Sequence, residues 1–245
     1  MILAETADWI ALDKPSGVSL ATSGRPGKSG ADAVRRLLAA CAESDREGLL
    51  LVHRLDEGTS GVVLLARSEE AHRALSLAFQ TKAARKTYRA LAWGHPRPAE
   101  GVFDDPLGRD PTDGRRMRVR TDGKPARTPY RTLSRLPSVA DLLLSPETGR
   151  THQIRVHLSA HGHPIVGDDL YGGATRWRGV RVRAHRQALA AVGRPLLHAA
   201  RIEVPDLDLD VAAPLPQEYA RLLAVLSDSP QSRDRDKLRA PSFRR

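Results

Sequence analysis

A single cysteine, Cys41, stands in a chain of 245 residues. An intrachain disulfide is therefore impossible, and no cysteine-based metal cluster can form. Nowhere do about 18 apolar residues run together, so no membrane-spanning helix is expected. The opening MILAETADWI carries Glu5 and Asp8 and no basic run, which argues against a secretory leader and for a reducing cytoplasm. There is no glycine-rich phosphate loop and no alternating strand–helix rhythm, so a doubly wound nucleotide-binding sheet is not expected. Aromatic residues are scarce: four Tyr, three Trp and three Phe. A site that needs an aromatic face has few candidates.

Positive charge is abundant. The formal net charge is +10, and the sequence pI is about 10.4. Six basic residues against two acids fall in the last fifteen positions, so the body keeps +6 without them. Such a surplus suits a polyanionic partner, nucleic acid or an acidic membrane surface, although simple solubility also explains part of it.

The patterning is mixed. Ile2 to Asp13 reads as two short strands, followed by the turn Lys14-Pro15-Ser16-Gly17. Ala33, Val34, Leu37, Leu38 and Cys41 have helical spacing, with Ser29 or Asp32 as the cap. Val62 to Ala66 is a buried strand, Ser68 opens a helix, and Lys86 to Trp93 returns to strand. Residues 101–134 read as a basic, loop-rich stretch with a hairpin or arm at RMRVRTDGKPA. Asp141 to Ser145 is a further strand. Thr151 is the expected cap of a helix over 152–161, stopped by Gly162. Leu215 to Leu226 is a terminal helix. The order predicts an α+β fold in one domain, residues 1–226, followed by a basic, disordered tail, 227–245. A monomer is expected.

One stretch is chemically odd. In Val52-His53-Arg54-Leu55-Asp56-Glu57-Gly58-Thr59-Ser60-Gly61, a cation and a carboxylate sit between two aliphatic runs. A carboxylate placed there is partly desolvated and calls for a cationic partner; Arg155, Arg54 or Arg150 could serve. A plain buried salt bridge holding a turn is the blander reading. Tyr88 shares a strand face with Lys86, as an exposed stacking platform would. His152, His157, His161 and His163 follow no zinc spacing, so neither a metal site nor a metal-dependent hydrolase is expected.

HRLD, two free positions and TSG resemble the signature of the RluA family of RNA pseudouridine synthases. Asp13-Lys14-Pro15-Ser16-Gly17, Lys86-x-Tyr88, Thr148-Gly149-Arg150-Thr151-His152-Gln153-Ile154-Arg155 and Gly167-Asp168 with Leu170-Tyr171-Gly172 are similar to further family motifs, in the family's order over roughly residues 1–225. The resemblance implies isomerisation of uridine to its C-glycoside in RNA, tRNA or large-subunit ribosomal RNA, without cofactor or metal. It implies Asp56 as the catalytic carboxylate, Tyr88 as the residue stacked on the base and Arg155 as the partner of Asp56. It implies Arg54 in the space the flipped base leaves. It also sharpens the fold to a mixed, mostly antiparallel sheet with flanking helices and a central cleft.

The proposed reaction breaks a glycosidic bond, turns the base and forms a carbon bond, so the base must leave its stack at a cost of roughly a few kcal/mol. Base–aromatic stacking returns about 1–3 kcal/mol. Arg54, His53, Lys86, Arg150, Arg115, Arg116, Arg118 and Lys124 are the expected RNA contacts, with the polar loop 21–30 beside them. Ahead of the catalytic motifs no small RNA-binding domain is expected. Ala184 to Gly193 departs from the family pattern, which puts the last strands in question. A binding-only or chaperone-like protein on the same scaffold is the competing reading.

Overall fold

In the computed structural model, residues 1–22, 29–41 and 48–228 are described. Most of the expected tail and most of the 21–30 loop lie outside them. In chain order the elements are β1 (Ile2–Glu5), β2 (Trp9–Lys14), α1 (Gly30–Ala40), β3 (Leu50–Leu51), β4 (Ser60–Ala66), α2 (Glu69–Gln80), β5 (Arg85–Trp93) and β6 (Glu100–Phe103). A small hairpin follows, β7 (Leu107–Arg109) and β8 (Met117–Val119), then β9 (Thr128–Leu136) and β10 (Val139–Leu144). The remainder is α3 (Gln153–Ala160), a 3₁₀ turn (Arg176–Gly179), α4 (Arg183–Ala190), β11 (Leu197–Val204), a second 3₁₀ turn (Pro205–Leu207), β12 (Leu209–Ala212) and α5 (Gln217–Ser227).

Ten strands form one sheet with the path β1-β2-β4-β11-β5-β10-β9-β6, to which β3 adds beside β4 and β12 beside β11. Only the β4–β11 pairing is parallel. The fold is α+β, mixed and mostly antiparallel.

The reason for β4's complete burial is readable in its alternation. Val62, Leu64 and Ala66, with Trp9 and Ala11 of β2, meet the Ala71, Leu75 and Ala78 stripe of α2. Val63 and Leu65, with Ile10 and Leu12, meet Val34, Leu37 and Leu38 of α1 on the other face. A strand covered on both faces loses the polar alternation of a surface strand. Ser29 caps α1 in a capping box with Asp32, and Ser68 caps α2 by accepting the Ala71 N–H. The largest core lies at the other end, where β5 and β10 pack on α3, α4 and α5.

Two expectations need correction. The loop-rich stretch 101–134 holds β9, a nine-residue strand of the main sheet, and its neighbour β6. In β9 only Thr128, Tyr130 and Leu136 are buried, while Arg131, Leu133 and Arg135 are exposed. Charged residues and Pro129 concealed a strand near the sheet edge. Thr151 does not cap α3. His152 occupies that position with φ 55° and makes no side-chain cap bond, while the Gln153 side chain fastens the loop before the helix by accepting from Arg150 N–H and Thr148 Oγ1. The departure at 184–193 does not disturb the last strands: it forms most of α4, and β11 follows it as a central strand.

Gly61 is the tight point beside the Asp56 turn. Its φ is +113°, and a Cβ there would stand 2.2 Å from the Ala199 carbonyl oxygen of β11. Gly61→Ala is expected to destabilise by about 2–4 kcal/mol in urea unfolding. Gly30→Ala, where the added carbon meets open space at the start of α1, leaves stability equal or higher.

Candidate active site

Three chain segments far apart in sequence meet at Asp56. β11 brings two of them together: His198 and Ala199 pair with Ser60 and Gly61 on one side, and Ala199 pairs with Tyr88 on the other. The turn that carries Asp56 runs directly into Ser60, so the close β4–β11 approach sets the carboxylate near the Tyr88 strand. Within the turn, the Thr59 N–H donates to the Asp56 carbonyl. Beneath it lies Lys14, fully buried, whose ammonium donates to the carbonyls of Pro15, Val18 and Glu57 at 2.9–3.1 Å. Gly17 N–H donates to the same Glu57 carbonyl at 2.8 Å. The DKPSG turn is thus a brace for the aspartate turn. Burial lowers the Lys14 pKa to about 8, with Arg194 pushing the same way and Asp56 opposing.

The third segment is α3. Arg155 is 7% exposed. Its Nε and Nη2 donate to the two oxygens of Asp168 at 2.8 and 2.9 Å, a two-point grip on a fully buried carboxylate. Nη1 is left to face Asp56 Oδ2 at 3.4 Å. Burial opposes the guanidinium charge, but the Asp168 bonds and charge outweigh it and raise its pKa. The Tyr171 ring lies under this guanidinium at 5.0 Å, with Arg116 over the ring at 5.6 Å.

His152 completes the group. Its Nδ1 is 2.8 Å from the Tyr171 hydroxyl, and Nε2 is 4.0 Å from Asp56 Oδ1. Met117 N–H already donates to that hydroxyl oxygen, so the hydroxyl proton is free to point at Nδ1. This places the imidazole proton on Nε2, towards Asp56. Burial lowers the His152 pKa, with Asp56 pulling it back. Its left-handed backbone is a strained conformation at the edge of the site.

Asp56, Tyr88 and Arg155 line one hollow of about 100 Å³, together with Arg54, Lys86 and Arg150. A water takes about 30 Å³ of liquid, so the hollow suits one small planar ring rather than a whole nucleotide. It adjoins an open cavity of about 860 Å³ that also borders Asp56, Arg54 and Arg155, and reaches Arg115 and Arg194. Burial, then the charge of Asp56, raises the Tyr88 pKa, so the phenol keeps its proton. Thr59, 2% exposed, borders the smaller hollow, and its hydroxyl has no hydrogen-bond partner.

The other expected contacts scatter. Arg54 is exposed at the mouth. His53 turns inward: its ring stacks on Phe79 at 4.7 Å and its Nε2 accepts the Leu64 N–H at 3.1 Å. Lys86 lies over the same Phe79 ring at 5.9 Å. Arg115 is exposed but paired with Asp113, whereas Arg118 and Lys124 are exposed on the outer arm. Three of the histidines without zinc spacing are held by hydrogen bonds. His157 bonds Thr128 and the Asp105 carbonyl, His161 bonds Asp105, and His163 bonds the Trp93 carbonyl. Asp168, Lys14, His152 and Tyr171 were not assigned roles from sequence, although each lies inside a quoted motif. An acid thirteen positions past Arg155, beyond the Gly162 stop, was the available signal for Asp168.

Residues 8–160 match the family described as RNA pseudouridylate synthase. The chain belongs to that family. It is 40% identical over 219 residues to an uncharacterized RNA pseudouridine synthase of Chloroflexus aurantiacus, covering 88% of this chain and 66% of that one. It is 34% identical to ribosomal large subunit pseudouridine synthase D of Escherichia coli, covering 92% and 70%. The chain thus spans about two thirds of the length of these curated relatives. Among solved structures, human RNA pseudouridylate synthase domain containing 4 superposes with a TM-score of 0.70 at 28% identity, covering 92% of each chain. Human RNA pseudouridylate synthase domain containing 1 gives 0.68 at 28%, covering 98% and 95%.

Burial holds His53, His152, His157 and His198 below their ordinary value of about 6.5, His53 to about 3 and His198 to about 4. The unfolded chain therefore takes up these protons first on acidification. Their contribution to stability is complete above pH 6.5 and is lost as the pH falls towards about 4 and about 3. Urea midpoints measured from pH 7.5 to 5 should fall on acidification, and His53→Gln should flatten the slope by about one proton. An unchanged slope in the variant would count against the inward, neutral His53.

Proposed function

We propose that this chain isomerises uridine to pseudouridine in RNA, with Asp56 as the catalytic carboxylate. The carrying observation is the convergence of Asp56, Tyr88 and Arg155 on one base-sized hollow. The same three side chains border it from a turn, a strand and a helix. A binding-only protein has no need for a carboxylate braced by a buried lysine and faced by a buried arginine.

Each residue has a physical task. Arg155, locked onto Asp168, offers one N–H to Asp56 Oδ2 and leaves Oδ1, 4.0 Å from His152 Nε2, without a guanidinium bond. That oxygen is the one placed to act on the flipped nucleoside. Tyr88 presents a protonated phenol and a flat face to the base, worth about 1–3 kcal/mol of stacking. Arg54 stands at the mouth, free to fill the gap left in the RNA. Lys86, Arg150 and Arg115 supply charge around the entrance, and Arg116, Arg118 and Lys124 extend it along the arm. His53 supports the fold under Arg54. The large-subunit ribosomal RNA named for the Escherichia coli relative makes ribosomal RNA the first substrate to test, with tRNA as the second. The catalytic unit is read as residues 1–226, acting as a cytoplasmic monomer. Among the described residues no helix is long and apolar enough to cross a membrane.

Asp56→Asn should abolish isomerisation, at least about 10³-fold in single-turnover rate, while RNA affinity stays within a factor of about three. Pseudouridine mapping in total RNA from a deletion strain and its parent should lose one or a few sites. A variant with full turnover, or an unchanged map, would overturn the assignment.

A further inference from the structure

The expected RNA-binding arm carries less net charge than its arginines suggest. Residues 101–127 hold seven Lys and Arg but also five Asp, a balance of only +2. Arg115 pairs with Asp113, Arg120 with Asp122, and Arg127 with Asp104 and Glu147. Residues 172–193 are the opposite case. They hold Arg176, Arg178, Arg181, Arg183 and Arg186 and no acid, a balance of +5.

All five arginines are exposed. Among the described residues, the ion pairs involve none of them. Arg176 donates to the Gly162 carbonyl, and Arg178 lies 5.6 Å over the half-buried Trp177 ring. The underside is rigid. Val180 and Leu189 enter the main core, with Trp177, Ala188 and Val192 packed against it. Its cations therefore stand on a fixed surface rather than on a loose loop.

Two details separate this surface from an ordinary solvated face. Arg183 and Arg186 occupy the first turn of α4, and the cap residue Val182 offers no side-chain bond to the free amides. Cations at a helix N-terminus work against the helix dipole, so stability does not account for them there. Free amides and guanidiniums at one end together favour an anion. Second, both ends of the segment are fixed at the large cavity. Asp169 and Leu170 border that cavity before it, and Gly193, Arg194 and Pro195 border it after. The Trp93 indole N–H holds its start through the Gly173 carbonyl at 2.7 Å, and Arg194 holds its end through the Gly58 carbonyl.

We propose that the 3₁₀ turn and α4 form a second RNA-docking surface that grips backbone phosphates of the RNA flanking the target uridine. It rests on the reading that this chain acts on RNA. The surface contributes affinity and salt dependence and leaves the chemical step alone.

The test uses the full chain with Arg178, Arg181, Arg183 and Arg186 all changed to Gln, sparing Arg176 because it bonds the backbone. Binding to large-subunit ribosomal RNA and to unfractionated tRNA is measured between 50 and 200 mM salt. Each lost phosphate contact removes about 0.7–0.9 from the log–log salt slope, so four remove about 3. Over that fourfold salt range the wild type should lose about fifty- to a hundredfold more affinity than the variant. KM should rise and the rate at saturating RNA should stay unchanged. If the fourfold variant does not fold, the pair Arg181→Gln and Arg183→Gln should remove about half of the slope change. An unchanged slope in the folded variant overturns the proposal, as does a fall in saturating rate with unchanged affinity. Undiminished RNA binding with lost binding to anionic phospholipid vesicles would assign the surface to a membrane instead. The slope is read again on the Asp56→Asn background, where no turnover is needed. Failure of this surface and failure of the Asp56 assignment are thus separate results.

Discussion

The site depends on one guanidinium held between two carboxylates of unequal standing. Asp168 is fully buried and takes two N–H groups of Arg155; Asp56 is part-exposed and receives the third nitrogen at 3.4 Å. A buried pair of this kind adds little net stability, because desolvation cancels much of the attraction. Its value is directional. Two bonds to Asp168 fix the plane of the guanidinium, and the Tyr171 ring beneath restrains it further. Arg155 can then meet a carboxylate 99 positions earlier in the chain at a fixed place and angle.

The sheet is built to deliver this meeting. β11 arrives late in the chain and inserts between β4 and β5, so that Gly61, Ala199 and Tyr88 stand in one row. Gly61 allows the close approach, and Lys14 ties the turn before it to the DKPSG turn through the Glu57 carbonyl. Polar side chains lock α3 from the other side. Gln153 bonds the Arg127 carbonyl and Thr128 at once, and His157 bonds Thr128 as well. The active loop 148–152 is therefore pinned by its own helix.

Much of this was legible in the sequence, and the gaps have physical causes. Helix caps at Ser29 and Ser68, the doubly covered β4 and the Gly162 stop follow from local rules, and the structure holds them. Asp56, Tyr88 and Arg155 were singled out through motif order, since no local rule predicts that a turn, a strand and a helix from three segments meet. β9 was missed because only three of its nine residues are buried, and the rest read as loop. The inward turn of His53 depends on Phe79 of α2, a contact between elements that pattern alone does not supply. The arm's charge was overestimated because sequence counts cations and not their partners. The reverse held at Arg176 to Arg186, five cations without an ion pair among the described residues, which no motif had singled out.

The account stands or falls on whether Asp168 acts through Arg155. The direct measurement is a double-mutant cycle on the single-turnover isomerisation rate, using Asp168→Asn, Arg155→Lys and both together. The account predicts that each single change slows the reaction by about 10²-fold or more and that the double is no slower than Arg155→Lys alone. Losses that multiply in the double variant would show two independent roles and contradict it.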